Sequence, residues 1–170
     1  MPKYQYTDFR KSLWSVILIF ILLIVGSLVV WLTRPQPVIP KSIQKKAAFT
    51  IYIPGSDNKI DRSSIGYNSS NGVLIFTANE NDNAYTFSEQ GIPDAFHDSD
   101  QIYPALLSKL HEYSEIQTFL GAVALTKPSE LNGLQSAVIK TSDTLMFIKV
   151  KKNISDDSWK SFISSLEKAS

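Results

Sequence analysis

The chain has 170 residues, 17 of them Lys or Arg and 16 Asp or Glu, and no cysteine. Without cysteine there are no disulfides, no thiol catalysis, no cysteine-ligated zinc and no lipoprotein anchor, which needs a thiol to acylate. The near-neutral total conceals an asymmetry: residues 1–46 hold seven basic side chains against Asp8, a charge of +6, while residues 47–170 hold ten basic against fifteen acidic, −5. An acidic domain has the wrong sign for binding phosphate backbones, which excludes nucleic acid as the expected partner.

Residues 1–12, MPKYQYTDFRKS, are too few and too polar to fold and are expected to form a cytoplasmic tail. Leu13 to Leu32, LWSVILIFILLIVGSLVVWL, carries no charge in 20 residues. A helix that long spans about 30 Å, the hydrocarbon thickness of a bilayer, so the run predicts a transmembrane helix. Trp14 and Trp31 stand near its ends, where indole rings favour the membrane–water boundary. A secretory peptide has a shorter apolar core and a small-residue cleavage site, whereas this run ends in Trp31-Leu32-Thr33-Arg34-Pro35, so retention as an anchor is expected. Three Lys or Arg precede the run and four follow it before residue 47, so the positive-inside count does not orient it. A short tail, one span and one domain is the usual signal-anchor order. It places the N-terminus inside and the domain outside the cytoplasm, in a single-pass cell-membrane protein. Residues 33–47, with prolines at 35, 37 and 40, are expected to form an extended stalk.

The remaining 48–170 suffices for one core. Phe49-Thr50-Ile51-Tyr52-Ile53 alternates as a strand that Pro54-Gly55 ends; Ile65 to Tyr67 is a short strand, and Val73 to Ala78 and Ala84 to Ser88 continue an antiparallel meander. Residues 89–100, EQGIPDAFHDSD, read as a loop. Tyr103, Leu106, Leu107 and Leu110 then repeat at helical spacing, with Pro104 tolerated in the first turn. Ile116 to Thr126 reads as one strand, and Gln135 to Thr141 with Thr144 to Val150 as a hairpin turning at Ser142-Asp143. The last helix has Ser155 as N-cap, Asp156 and Asp157 at its positive end, an Ile154–Trp159 staple and the core stripe Trp159, Phe162, Ile163, Leu166. The expected fold is α+β: one N-terminal transmembrane helix, then an antiparallel sheet of about five to seven strands with two amphipathic helices packed on it.

The order of a strand, the loop Ser88-Glu89-Gln90-Gly91-Ile92-Pro93, a glycine-containing strand, AVIKTSDTLMFIKV and the closing ISDDSWKSFISSL resembles small bacterial membrane-anchored domains of unknown function. Some of these occur in envelope-sensing proteins. The resemblance covers most of residues 49–168 and implies an α+β fold behind one N-terminal anchor; it carries no catalytic residues across.

Constellations with chemistry are few. Asp94, His97, Asp98 and Asp100 crowd one loop and are the only candidate ligands for a hard cation, yet the glycine and distal glutamate of a calcium loop are missing. His97 and His111 are the two histidines, and His111 adjoins the helix face. Ser42-Ile43-Gln44-Lys45 and Ser165-Leu166-Glu167-Lys168 match Ser-x-x-Lys without the companion motifs of acyl-serine enzymes. No catalytic residue, metal or cofactor is therefore assigned. The expected function is a membrane-anchored extracytoplasmic binding or accessory module, non-enzymatic, whose partners are the bilayer through residues 13–32 and an envelope protein or cell-wall component. The alternative is a small envelope hydrolase or metal-dependent enzyme using the Asp94, His97 and Asp98 loop.

Overall fold

The computed structural model describes residues 23–24, 37–55, 59–80, 82–127 and 133–169. The chain divides into two units, Met1–Gln36 and Pro37–Ser170. In the first, Leu23 and Ile24 are helical and exposed; the rest of the 13–32 run, with Trp14 and Trp31, and the 1–12 tail lie outside the described residues. Among the described residues no helix is long and apolar enough to cross a membrane.

The second unit is α+β. After a one-turn helix α1 (Lys41–Gln44) and a short strand β1 (Tyr52–Pro54) come two meanders. The first is β2 (Ile60–Asn68), β3 (Val73–Glu80) and β4 (Asn83–Gly91); α2 (Ala95–Asp98) and α3 (Ile102–Lys109) lead to the second, β5 (Glu112–Thr118), β6 (Gly121–Thr126), β7 (Ser136–Lys140) and β8 (Thr144–Val150). They fuse into one antiparallel seven-stranded sheet of order β2-β3-β4-β8-β7-β6-β5. The joint is the β4–β8 pair, in register from Tyr85↔Val150 to Gly91↔Thr144. The helix α4 (Asp156–Ser164) and strand β9 (Leu166–Lys168) close the chain, with β9 antiparallel to β1.

Side-chain alternation decides which face each element covers. In β4, Tyr85, Phe87 and Glu89 point inward and are buried while Thr86 is exposed, the period-2 pattern of a strand covered mainly on one face. Against that face lies α4, its apolar stripe Trp159, Phe162 and Ile163 all buried. Phe162 stacks on Tyr85 with ring centroids 3.7 Å apart, and Phe87 stacks on Phe76 at 4.5 Å. The Ser155 hydroxyl accepts the Ser158 N–H at 3.2 Å, and Asp156 and Asp157 occupy the first turn, so the N-terminus is capped as the sequence requires. The opposite face is covered over its β6–β8 half, where Leu107 packs with Ala124, Val138 and Leu145 beside Phe96 and Tyr103. Residues 137–139 and 145–146 are consequently buried on both faces and are apolar without alternation.

Several expectations are corrected. The 33–47 stalk is not a stalk from residue 37 onward, so the domain begins at Pro37, earlier than 48. Val38 and Ile39, 5% and 0% exposed, belong to the main core, and the Tyr67 hydroxyl donates to the Lys46 carbonyl at 3.1 Å. Two apolar residues between prolines are too short a run to show a period, yet they bury fully. The strand expected over 116–126 is a hairpin, because Gly121 has φ +100° and reverses the chain between β5 and β6. Leu166 is buried as expected but lies in β9 and not in the helix; Leu106 and Leu110 are half-buried, and Leu107 makes the deepest contact of α3. The alternation expected over 49–53 gives way to three consecutive buried residues, Ile51, Tyr52 and Ile53, because this segment is sandwiched between the sheet and β9. The 89–100 loop begins later than expected, since β4 continues to Gly91 and α2 occupies 95–98.

Two stability measurements follow. A fragment 37–170 should unfold cooperatively, and removal of 37–47 should cost about 3–6 kcal/mol, the transfer of two apolar side chains back to water, read by denaturant titration. In that fragment Trp159 is the sole tryptophan and fully buried. Its emission should be blue-shifted and move red on unfolding, and Trp159→Ala should cost about 3–5 kcal/mol.

Candidate functional site

The segment 48–52 crosses one end of the sheet, and side chains fasten it there. The Asp143 carboxylate, in the β7–β8 turn, accepts the Thr50 N–H at 3.0 Å and the Thr50 hydroxyl at 2.7 Å. The Thr144 hydroxyl, fully buried, donates to the Thr50 carbonyl at 2.7 Å. Two residues on, the Tyr52 N–H donates to Oε2 of Glu89 at 3.1 Å. Glu89 is 0% exposed, and its Oε1 is buried with no hydrogen-bond partner. A carboxylate so enclosed has nothing to replace the water it has lost. Burial therefore pushes the Glu89 carboxyl well above its ordinary value, against the single pull of the Tyr52 N–H. Burial also pushes Asp143 up, but hydrogen bonds from Thr50, Thr144 and Thr141 outweigh it and leave this carboxyl below its ordinary value. The Tyr52 phenol is raised by burial and then by the Asp143 charge.

Beside this fastening opens a cleft of about 440 Å3, built from three segments: Lys46, Ala48 and Phe49; Tyr67, Asn71 and Gly72 at the β2–β3 turn; and Gln90 to Asp94 after β4. A Cβ at Gly91 would lie 4.0 Å from the Phe49 ring, so the ring and β4 meet closely at the cleft wall. At the other end of the sheet a second cleft, of about 370 Å3, is lined by Glu80, Asp82, Asn83, Tyr85, Lys152 and one side of α4, including Ser158 and Ser161. Asn83 pins it: its amide donates to the Lys152 carbonyl at 2.8 Å and accepts the Lys152 N–H at 3.0 Å. Glu80 pairs with Lys59 at 2.8 Å through one oxygen, and its other oxygen is buried without a partner. The Tyr85 phenol is raised by burial and then by Glu80.

The structure does not bring the expected ligand loop together. Asp94 precedes α2, Asp98 ends it and Asp100 follows it, all three exposed, while the His97 side chain lies outside the described residues. Among the described residues no three His, Asp or Glu side chains could hold a metal ion. Asp94 lines the first cleft. His111 is exposed at φ +56°, in the turn that enters β5. Ser42 is exposed on α1, and the Ser165 hydroxyl donates to the Phe162 carbonyl at 2.7 Å. Glu89, which the structure singles out, was read as the first residue of a loop. The available signal was phase, since continuing the alternation of Tyr85 and Phe87 by one step puts residue 89 on the buried face. Comparison with protein-family models, with curated proteins and with solved structures finds no match.

The two fastening carboxyls act on stability with opposite sign. Glu89 is raised above 4.5, so its contribution is complete below 4.5 and is lost as pH rises through its folded value. Asp143 is lowered below 3.8, so its contribution is present above 3.8 and is lost as pH falls through its folded value. Melting temperatures from pH 3 to 9 should show Glu89→Gln removing a decline on the alkaline side and Asp143→Asn removing one on the acid side.

Proposed function

We propose that this chain is a single-pass, membrane-anchored binding or accessory module, non-enzymatic, that displays its α+β domain outside the cytoplasm. It takes its partner in the cleft formed by residues 46–49, 67–72 and 90–94. Anchoring is supported by the uncharged run 13–32 and its flanking Trp14 and Trp31. The observation that carries the binding reading is the convergence of three separate segments on one opening. It combines apolar surface from Phe49, Tyr67 and Ile92 with the amides of Asn71 and Gln90 and the opposite charges of Lys46 and Asp94. Such a lining suits a partner with both polar and apolar groups, an envelope protein or cell-wall component. The same cleft includes residues 90–94 of the 89–100 segment read from the sequence as a loop.

Two measurements test the proposal. Protease added to intact cells or spheroplasts should remove the domain, and full protection until lysis would reverse the topology. A photocrosslinking amino acid at Ile92 should give an adduct of fixed mass in cells, while the same group at Ser158, in the opposite cleft, gives none. Equal or absent yields from both positions would end the assignment of this cleft.

A further inference from the structure

We infer that the outer edge of β5 is a second interaction surface, one that takes an extended segment of a partner protein, with Lys or Arg at alternate positions, as an added strand of the sheet. The edge shares no residue with the first cleft and does not depend on what that cleft binds.

The sheet ends in β2 on one side and β5 on the other, and each end strand turns a row of N–H and C=O groups away from the ladder. β2 is ill suited to extension. Its register breaks between Asp61 and Gly66, where the Ser63 N–H donates to the Asp61 carboxylate at 2.9 Å and the Ser64 hydroxyl to the Asp61 carbonyl at 2.6 Å. β5, in contrast, pairs with β6 without a break from Ser114 to Thr118, and among the described residues nothing bonds the outer backbone groups of that stretch. A ladder can continue there.

The side chains along the edge decide what it accepts. Glu112 and Glu115 lie opposite Thr126 and Ala124 of β6, neighbours on one side of that strand, so both carboxylates stand exposed on the same face. On the other face the Ser114 hydroxyl donates to the Asp156 carboxylate at 2.7 Å. Among the described residues none of these three acids is in an ion pair. Exposed aromatic side chains bracket the strand: Tyr113, 46% exposed, near its start, and Phe119, 62% exposed, just past its end. An unpaired strand with apolar groups at both ends invites another chain, and the charge between them selects which. A second copy adding its β5 antiparallel to this one would bring Glu112 and Glu115 of both copies onto one face of the seam, where like charges oppose each other. A basic strand meets the same carboxylates with opposite charge, while its backbone completes the ladder.

The probe is a short end-blocked peptide of alternating Lys and Val, added to the full-length protein in nanodiscs of uncharged lipid. Amide hydrogen exchange should slow over 112–118 and stay unchanged over 60–68, on the opposite edge. The same peptide N-methylated at alternate residues keeps its charge but cannot extend the ladder, and it should protect neither edge. Glu112→Lys combined with Glu115→Lys should weaken binding of the Lys peptide several-fold, read by fluorescence anisotropy, and admit a peptide with Glu in place of Lys. If that double variant fails to fold, Glu112→Gln with Glu115→Gln, which removes only the charge, must weaken binding of the Lys peptide in its place. No binding, equal protection of both edges, protection by the N-methylated peptide, or unchanged affinity in the substituted proteins would overturn the assignment. None of these readings involves the first cleft, so they leave the function proposed for it to its own tests.

Discussion

The pairing of β4 with β8 is the constraint on which the rest of the domain depends. Each meander could form from neighbouring residues, but a three-stranded and a four-stranded ribbon bury little alone. Only their fusion creates a continuous sheet face wide enough for α4, β1 and residues 37–40. The partners in this seam lie more than fifty residues apart in sequence, so the loop-closure entropy is met late and all at once. Because β4 is central it also sets the inward line Tyr85, Phe87, Glu89, which supplies the aromatic bed of α4 at one end and the buried carboxyl at the other. The two clefts open at the two ends of this strand: Gln90 and Gly91 line one, Asn83 and Tyr85 the other.

What could be read from the sequence follows the range of the forces involved. β3, the body of β4, the β7–β8 hairpin and α4 were legible because each declares itself within ten residues, by alternation, a turn or a cap. β2 was seen only over Ile65 to Tyr67. Its sequence IDRSSIGYN lacks alternation because it is an edge strand with an irregular register between Asp61 and Gly66, and most of it is exposed or half-exposed. The end of the chain was misjudged for a complementary reason. Leu166 keeps the helical spacing of the α4 stripe, but β1 offers it a partner strand from more than a hundred residues away, and pairing with β1 wins. At Gly55 that approach is so close that a Cβ would sit 2.9 Å from the Ser165 carbonyl oxygen, so glycine is required where the sequence suggested only a turn.

The candidate site was less legible than the fold because neither cleft belongs to one stretch of sequence. A cluster such as Asp94 to Asp100 attracts notice by proximity along the chain, yet Asp94, Asp98 and Asp100 stand exposed at and around helix α2. The clefts arise instead where a hairpin turn, a strand end and a distant connecting segment converge, each with unremarkable local composition. Glu89 is the sharper case. It was read as the start of a loop, and its partner Tyr52 reaches it from another element.

The presence of two acids and a threonine at this junction follows from backbone accounting. A strand in a sheet finds carbonyl and amide partners in its neighbours; a segment that crosses a sheet does not, because the sheet has already used its own groups in the ladder. Segment 50–52 meets this problem on the edge turned to the sheet. On its other edge β9 serves it normally, the Ala169 N–H donating to the Ile51 carbonyl at 2.9 Å. Toward the sheet, the Thr50 and Tyr52 amides need acceptors and the Thr50 carbonyl needs a donor, and only side chains standing up from the sheet and its turn can supply them. Asp143, Glu89 and Thr144 do so. The hydroxyl is neutral and the Asp143 carboxylate keeps several donors, so neither resists burial strongly. Glu89 accepts a single donor in an apolar setting, and burial raises its carboxyl where the several donors on Asp143 lower that one.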